Sequence, residues 1–287
     1  GDLDIVSASW ADNTIAWYEN DGAANPTWTA ADIATNAEAA FNLHVVDLDN
    51  DGDLDIISAN HTEDTISWYE SDVASNNDSA VMAQAGDDYT ATSGTLTFSA
   101  GETSKTFTVT VAEDLIPENN ESVVLTLSNP SNTTISDATG SVVITDDETT
   151  VWTASDIATS ADAATSIYVA DMDGDGDMDI ISSSETDDTI AWYENNGGVN
   201  PTFSAANIAT SADGAWSVKA ADFDGDGDLD IISASYNDDT IAWYENDGAA
   251  NPSWTAADIA TSADGARAVT YADMDGDGDL DIVSASD

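Results

Sequence analysis

The feature that most constrains the fold is an internal repeat of 51 residues. An acidic segment of the form DxDGDGDxDI occurs three times at this spacing, beginning at Asp171, Asp222 and Asp273. A second marker, TIAWYEN or its variant TISWYES, begins at Thr14, Thr65, Thr189 and Thr240. A fixed period of this length predicts a row of equivalent supersecondary units, each packed against its neighbours.

The repeat is interrupted once. An earlier acidic segment, DLDNDGDLDII, begins at Asp47, so the step to Asp171 is 124 residues, 73 more than one repeat. Residues 1–9 are identical to residues 278–286, so the chain begins and ends within the same part of the repeat. We therefore predict repeats in residues 1–78 and 151–287 and an inserted domain in residues 79–150, and we expect the chain to be part of a longer protein.

Each repeat contains four short segments with a strand pattern. In the third repeat they are residues 166–170, 179–183, 189–194 and 203–210. Their β-branched and aromatic residues alternate with small or polar ones, and Gly, Asn, Asp and Pro separate them. Four-stranded units at this spacing are typical of β-propeller blades. Residues 85–148 carry an alternating Thr/Val-rich pattern that favours a sandwich. We predict an all-β chain, a partial β-propeller of about four four-stranded blades with an inserted β-sandwich.

The acidic loops have the composition of a calcium site. Ca²⁺ takes six to eight oxygen ligands in a flexible shell. Carboxylates at loop positions 1, 3 and 5 can converge if the chain turns sharply at the Gly of position 6, and a position-7 carbonyl and position-9 carboxylate can complete the shell. Position 12 is Ser, so the loop is not an EF-hand. Mg²⁺ demands tighter octahedral geometry, and Zn²⁺ prefers His and Cys ligands.

The acidic loop, the following DI(I/V)SAS segment and the aromatic strand resemble the FG-GAP/VCBS repeat of integrin-α-like β-propellers and many secreted bacterial proteins. The resemblance covers residues 1–71 and 151–287. It implies calcium in each loop, with Asp53 acting through its backbone carbonyl. The residues that match the calcium ligands of the family are Asp47, Asp49, Asp51, Asp53, Asp55, Asp171, Asp173, Asp175, Asp177, Asp179, Asp222, Asp224, Asp226, Asp228, Asp230, Asp273, Asp275, Asp277, Asp279 and Asp281.

The insert is similar to a Calx-β domain, a calcium-binding sandwich of immunoglobulin-like shape, whose opening strands are missing here. The resemblance implies further carboxylate ligands at Glu113, Asp114, Glu118, Asp146 and Asp147. Two alternatives stay open for the insert. One is an incomplete sandwich that covers its exposed edge with a neighbour, and the other is a sequence junction that joins two regions of a parent protein.

Composition excludes several function classes. The chain has 57 Asp and Glu against 3 Lys and Arg, a net charge of −54, so it cannot form the basic surface that nucleic acids or anionic lipids require. No apolar run is long enough to span a membrane, and we expect no membrane insertion. His44 and His61 are unrepeated, and no nucleophile-elbow, P-loop or dinucleotide motif occurs. We expect no enzyme activity, although carboxylate pairs suited to glycoside hydrolysis are common here.

A Trp recurs at one strand position in every repeat, as Trp17, Trp68, Trp192 and Trp243. We expect these rings to pack between blades; the alternative is a sugar-stacking surface. The function we predict is a calcium-binding module, extracellular or on the cell surface, for adhesion or for binding an unknown extracellular protein or glycan. The alternatives are a lectin or accessory carbohydrate-binding module of a secreted polysaccharide-degrading enzyme, and a structural spacer.

Overall fold

The structure is a computed structural model that describes residues 3–72, 83, 85, 89–112, 121–144, 151–198 and 200–287. The chain forms two compact units, one from residues 1–71 and 152–287 and the other from residues 72–151. All regular elements of the described residues are β-strands, which confirms the predicted all-β class. No helix in the described part of the chain is long and apolar enough to cross a membrane.

The first unit, called the repeat unit below, consists of antiparallel sheets. Before the insert its strands are β1 (Ile5–Ser9), β2 (Thr14–Asn20), β3 (Trp28–Ala34), β4 (Ala40–Val46), β5 (Asp55–Asn60) and β6 (Thr65–Asp72). The second unit, the insert unit, contributes β7 (Tyr89–Thr90), β8 (Thr110–Val111), β9 (Glu121–Thr126) and β10 (Thr139–Ile144). The repeat unit continues with β11 (Val151–Ala158), β12 (Ala164–Ala170), β13 (Asp179–Ser184), β14 (Thr189–Asn195), β15 (Phe203–Ala209), β16 (Ala215–Ala221), β17 (Asp230–Ser235), β18 (Thr240–Asn246), β19 (Trp254–Ala260), β20 (Ala266–Ala272) and β21 (Asp281–Ser286).

Three sheets of the repeat unit have four strands. Strands β12–β15 and β16–β19 pair in chain order, and β4, β5 and β6 are completed by β11, which follows the insert. Strands β1–β3 and β20–β21 form a three-stranded and a two-stranded sheet. The four strands predicted in the third repeat are confirmed as β12 to β15, because hydrophobic alternation and turn residues fix their ends within two residues.

Four equivalent strands, called the first strands below, each contain an irregularity at their second residue. They are β4, β12, β16 and β20. In the pairing of β12 with β13 the register shifts between Ala164 and Ser166, which leaves Thr165 outside the ladder. The same shift leaves Phe41, Trp216 and Arg267 outside the pairing in the equivalent strands. An extra residue of this kind is a β-bulge, and it redirects the side chain that it carries.

The core lies between successive sheets. Ile190 and Trp192 share a buried cluster with Ala242 and Tyr244 of the next sheet. Ile66 and Trp68 pack in the same way against Ala191 and Tyr193. Trp17 and Trp243 are only partly buried, whereas Trp68 and Trp192 are 6% and 2% exposed, which confirms the prediction of core residues for these two. Their ring faces are covered and cannot stack on a sugar.

The insert unit contains two antiparallel pairs among its described residues, β7 with β8 and β9 with β10. Large apolar side chains in it, Phe98, Phe107 and Val142 among them, are about half exposed. The predicted sandwich and the predicted domain boundaries at residues 79 and 150 stay predictions.

Candidate metal centres in the acidic loops

Each acidic loop joins the first strand of a sheet to the second, at β4–β5, β12–β13, β16–β17 and β20–β21. The Gly at loop position 6 has φ between 102° and 105° in all four loops. Such backbone is strained for residues with a Cβ, so the predicted role of Gly in the sharp turn is confirmed. At position 4, Asn50 has φ 60° where the other loops have Gly, because Asn tolerates the left-handed region.

Backbone amides organise each loop around its first carboxylate. Asp171 Oδ1 accepts hydrogen bonds from the backbone N–H of Gly174 at 2.8 Å and of Asp175 at 3.1 Å. Asp171 Oδ2 accepts from the N–H of Gly176 at 3.1 Å, and Asp175 Oδ1 from that of Asp177 at 2.9 Å. The loop therefore folds back on itself and turns its carboxylates toward one another.

The folded loops bring carboxylates into four compact clusters. In each cluster, three Asp residues place one carboxylate oxygen each within 4.8 Å of the others. The clusters are Asp47, Asp49 and Asp51; Asp171, Asp173 and Asp179; Asp222, Asp224 and Asp226; and Asp273, Asp275 and Asp281. Predicted ligands outside these clusters are Asp53, Asp55, Asp175, Asp177, Asp228, Asp230, Asp277 and Asp279.

The position-9 Asp also has a clamping role that the sequence did not reveal. Asp179 is completely buried, and its Oδ2 and Oδ1 accept hydrogen bonds from the backbone N–H of Met172 at 3.1 Å and of Asn195 at 2.8 Å. Burial raises the pKa of Asp179 to about 7, against these hydrogen bonds, which lower it. The indole N–H of Trp192 also lowers this pKa, although its geometry falls short of a hydrogen bond. Asp179 thus ties the start of its loop to the end of β14.

The first loop shows most clearly that the clusters have no positively charged partner among the described residues. Burial and then the neighbouring Asp51 charge raise the pKa of Asp49 to about 6. Asp47 Oδ1 is buried without a hydrogen-bond partner. The ion pairs found among the described residues all lie outside the four loops. Crowded carboxylates and an orphaned oxygen are a donor set that fits a hard, oxygen-seeking cation such as Ca²⁺.

Buried asparagines link neighbouring loops, a feature that the sequence analysis missed. Asn195, at the end of β14, donates from Nδ2 to the carbonyl of Met178 in the acidic loop of its own sheet at 3.1 Å. It also donates to the carbonyl of Leu48 in the acidic loop of the preceding sheet at 3.0 Å. Asn246 makes the equivalent bonds to Leu229 and Met172. The only sequence signal is the final letter of TIAWYEN, which is Asn in three repeats and Ser71 in the fourth.

The ligands predicted for the insert, Glu113, Asp114, Glu118, Asp146 and Asp147, lie outside the described residues. Their role in binding calcium stays a prediction.

Comparisons with known proteins match both parts of the chain. A profile described as an FG-GAP-like repeat matches residues 1–58, 171–233 and 222–284, which together exceed half of the chain. A profile described as a Calx-beta domain matches residues 68–154. No curated protein sequence matches.

Among solved structures, the chain is similar to the V. cholerae biofilm matrix protein Bap1 at 13% identity and a TM-score of 0.31. The similarity covers 94% of this chain but only 40% of that protein.

Proposed function

The chain belongs to the FG-GAP-like repeat proteins, and we propose that it is a calcium-binding module in which one Ca²⁺ holds each acidic loop. The observation that carries this proposal is the recurrence of one geometry four times: three carboxylate oxygens within 4.8 Å of one another, around a Gly turn. A solvated acidic turn has no need to gather its charges, since like charges at this distance repel.

The donor set favours calcium over other metals. The clustered side-chain donors are all carboxylate oxygens, which disfavours Zn²⁺, and several clustered carboxylates suit the larger, irregular shell of Ca²⁺ better than the tight octahedron of Mg²⁺. Ca²⁺ would neutralise the crowded carboxylates and fix the turn between two strands. At about 100 times its dissociation constant, each ion would stabilise the fold by about 2.7 kcal/mol.

We further propose that the sheets are blades of a β-propeller and that residues 79–150 form a Calx-β-like sandwich. The FG-GAP-like match, the four-stranded sheets and the packing of one sheet face on the next support the first part. The Calx-beta match and two antiparallel strand pairs support the second. Glu113, Asp114, Glu118, Asp146 and Asp147 are the calcium ligands proposed for the insert.

The proposed role is adhesion or partner binding outside the cell. Loops of this kind suit the weak affinities of extracellular calcium modules, about 10⁻⁴–10⁻³ M, which cytosolic calcium would leave empty. Neither matched profile describes an enzyme. A lectin that uses the Trp of every repeat is disfavoured, because Trp68 and Trp192 are buried between sheets and only Trp17 and Trp243 are partly exposed.

Thermal unfolding of the whole chain tests the calcium proposal. We expect the melting temperature to rise with millimolar Ca²⁺ and to fall with EGTA, with a smaller response to Mg²⁺. Replacing Asp171 and Asp173 together by Asn should reduce the calcium response, since both belong to one cluster. The double variant Asp32→Asn/Asp258→Asn, which removes two exposed charges outside the loops, is the matched control. Equal melting temperatures in calcium and EGTA would refute the proposal.

A further inference from the structure

A second surface of the repeat unit lies at the opposite end of the first strands from the acidic loops. We call it the aromatic face, and it consists of Trp10, Phe41, His61, Trp216, Tyr236 and Arg267. Phe41, for example, is near the start of β4, whereas Asp47 directly follows the end of that strand. The aromatic face is therefore separate from the proposed calcium sites.

The repeats differ from one another at the positions that build this face. The bulged residue of the first strand is Phe41, Thr165, Trp216 or Arg267, and the residue that follows the second strand is Trp10, His61, Glu185, Tyr236 or Asp287. The acidic loops, by contrast, are nearly identical in all repeats. The aromatic residues are therefore not a feature of the repeat itself, and their grouping is a property of the assembled unit.

The side chains of the face form a continuous ring cluster. Ring centroids are 5.6 Å apart for Trp10 and Phe41, 5.8 Å for Phe41 and Trp216, and 6.1 Å for Trp216 and Tyr236. The cluster also includes His61, 4.8 Å from Trp10. Trp10 and Phe41 remain 48% and 41% exposed. A contiguous exposed aromatic patch is a feature of interaction sites.

The aromatic face already holds one cation. The Arg267 guanidinium lies 4.9 Å from the ring centroid of Trp216 and 4.5 Å from that of Tyr236, while Asp287 Oδ2 accepts its hydrogen bonds at 3.0 and 3.1 Å. On the same set of first strands, Lys219 Nζ lies 5.2 Å from the ring centroid of Tyr168. Two of the three Lys and Arg residues of the chain therefore lie over aromatic rings, the geometry of a cation–π contact.

Exposed carboxylates border the aromatic face. Glu38, Asp162, Asp213 and Asp264 occupy one repeat position at this end of the first strands, and all four are exposed. Their placement follows from the turn contacts, since the carbonyls of Asp162 and Asp213 accept backbone hydrogen bonds from the turns that follow Glu185 and Tyr236. The Glu185 carboxylate itself lies 3.2 Å from His61 Nε2. Aromatic rings inside an acidic border complement a positively charged ligand.

We infer that the aromatic face is a docking surface for an arginine-containing segment of a partner protein, whose guanidinium groups lie over Trp10 and Phe41 as that of Arg267 lies over Trp216. The net charge of −54 attracts such a segment, and the rings provide the specific contact. This inference rests on the proposed partner-binding role and is independent of the calcium sites.

The test measures binding of a short peptide of alternating Arg and Gly to the whole chain at physiological ionic strength. A peptide with the uncharged isostere citrulline in place of Arg is the ligand control. The Trp10→Ala/Phe41→Ala double variant removes the open rings, and Trp28→Ala, which removes a similarly exposed ring outside the aromatic face, is the matched variant. We expect the double variant to bind the Arg peptide about tenfold more weakly and Trp28→Ala to bind it as the unaltered chain does.

Equal peptide binding by all three proteins would overturn the inference, because it would show attraction to the acidic surface as a whole. Equal binding of the citrulline peptide would overturn it as well. If the double variant loses binding to a neutral oligosaccharide but binds the Arg peptide as the unaltered chain does, the face binds a glycan and the inference is wrong. Calcium uptake measured on the same proteins keeps the two proposals distinguishable, since the double variant should retain it.

Discussion

The substitution Asn195→Ala tests whether neighbouring loops are linked through the buried asparagines. The Asn195 side chain is 1% exposed, its Nδ2 donates to the carbonyls of Leu48 and Met178, and its Oδ1 accepts from the N–H of Gly197 at 3.0 Å. Alanine removes all three hydrogen bonds. The Leu48 bond matters most, because it joins loops of different sheets.

The expected cost follows from the groups left unpaired. An unsatisfied buried polar group costs about 1–3 kcal/mol. The Leu48 bond is buried, whereas the Met178 and Gly197 bonds are partly buried, so the Leu48 carbonyl carries most of the cost and the other two groups add a smaller part. We therefore expect Asn195→Ala to lower the free energy of unfolding by about 2–4 kcal/mol.

The assay is urea unfolding of the whole chain, in EGTA and in calcium. Asn20→Ala is the matched control, because Asn20 has the same repeat position but makes its bonds, to Leu3 and Gly22, in exposed surroundings. We expect the control to cost less than about 1 kcal/mol and Asn246→Ala to behave like Asn195→Ala. Equal losses for Asn195→Ala and Asn20→Ala would refute the reasoning.

Three further predictions concern the core, the loop contacts and pH. Trp192→Ala should cost about 3–5 kcal/mol in chemical denaturation, because it empties space between two sheets; a loss below about 1 kcal/mol would contradict that packing. Gly197→Ala should cost about 1 kcal/mol, since φ is +68° and the new Cβ would meet a carboxylate of the adjacent loop, whereas Gly198→Ala, with 3.6 Å of clearance, should be nearly neutral. The pKa of Asp179 is raised from 3.8 to about 7, so the calcium-free native state binds protons more readily than the unfolded chain does. Its stability should fall as the pH rises from 3.8 toward 7, and an increase over this range in the melting temperature of protein freed of calcium by dialysis would oppose that sign.

The repeat made much of the fold predictable. Strands such as β14 follow from local alternation, and the burial of Trp192 follows from its recurrence at one position in equivalent units. The position-6 Gly could be assigned to a sharp turn because only a residue without Cβ adopts that backbone easily. These features depend on residues close together in the chain.

Features that depend on contacts between repeats were not predictable. Nothing near Asn195 indicates that its amide reaches the loop of another sheet, 147 residues away. The contact of Phe41 with Trp216 likewise requires the bulges and the packing of the sheets. Asp179 could be predicted as an oxygen donor from its place in the acidic loop, but its hydrogen bonds to two backbone amides appear only once the strands are paired.

Calcium stoichiometry is the most direct test of the central claim. Equilibrium dialysis followed by metal analysis would count the ions bound by the whole chain and by a variant in which the third-position residues Asp49, Asp173, Asp224 and Asp275 are all replaced by Asn. We predict that the unaltered chain binds at least one Ca²⁺ for each of the four clusters and that the variant loses four ions. Equal calcium uptake by the two proteins, or uptake by the unaltered chain of fewer than four ions, would contradict the account.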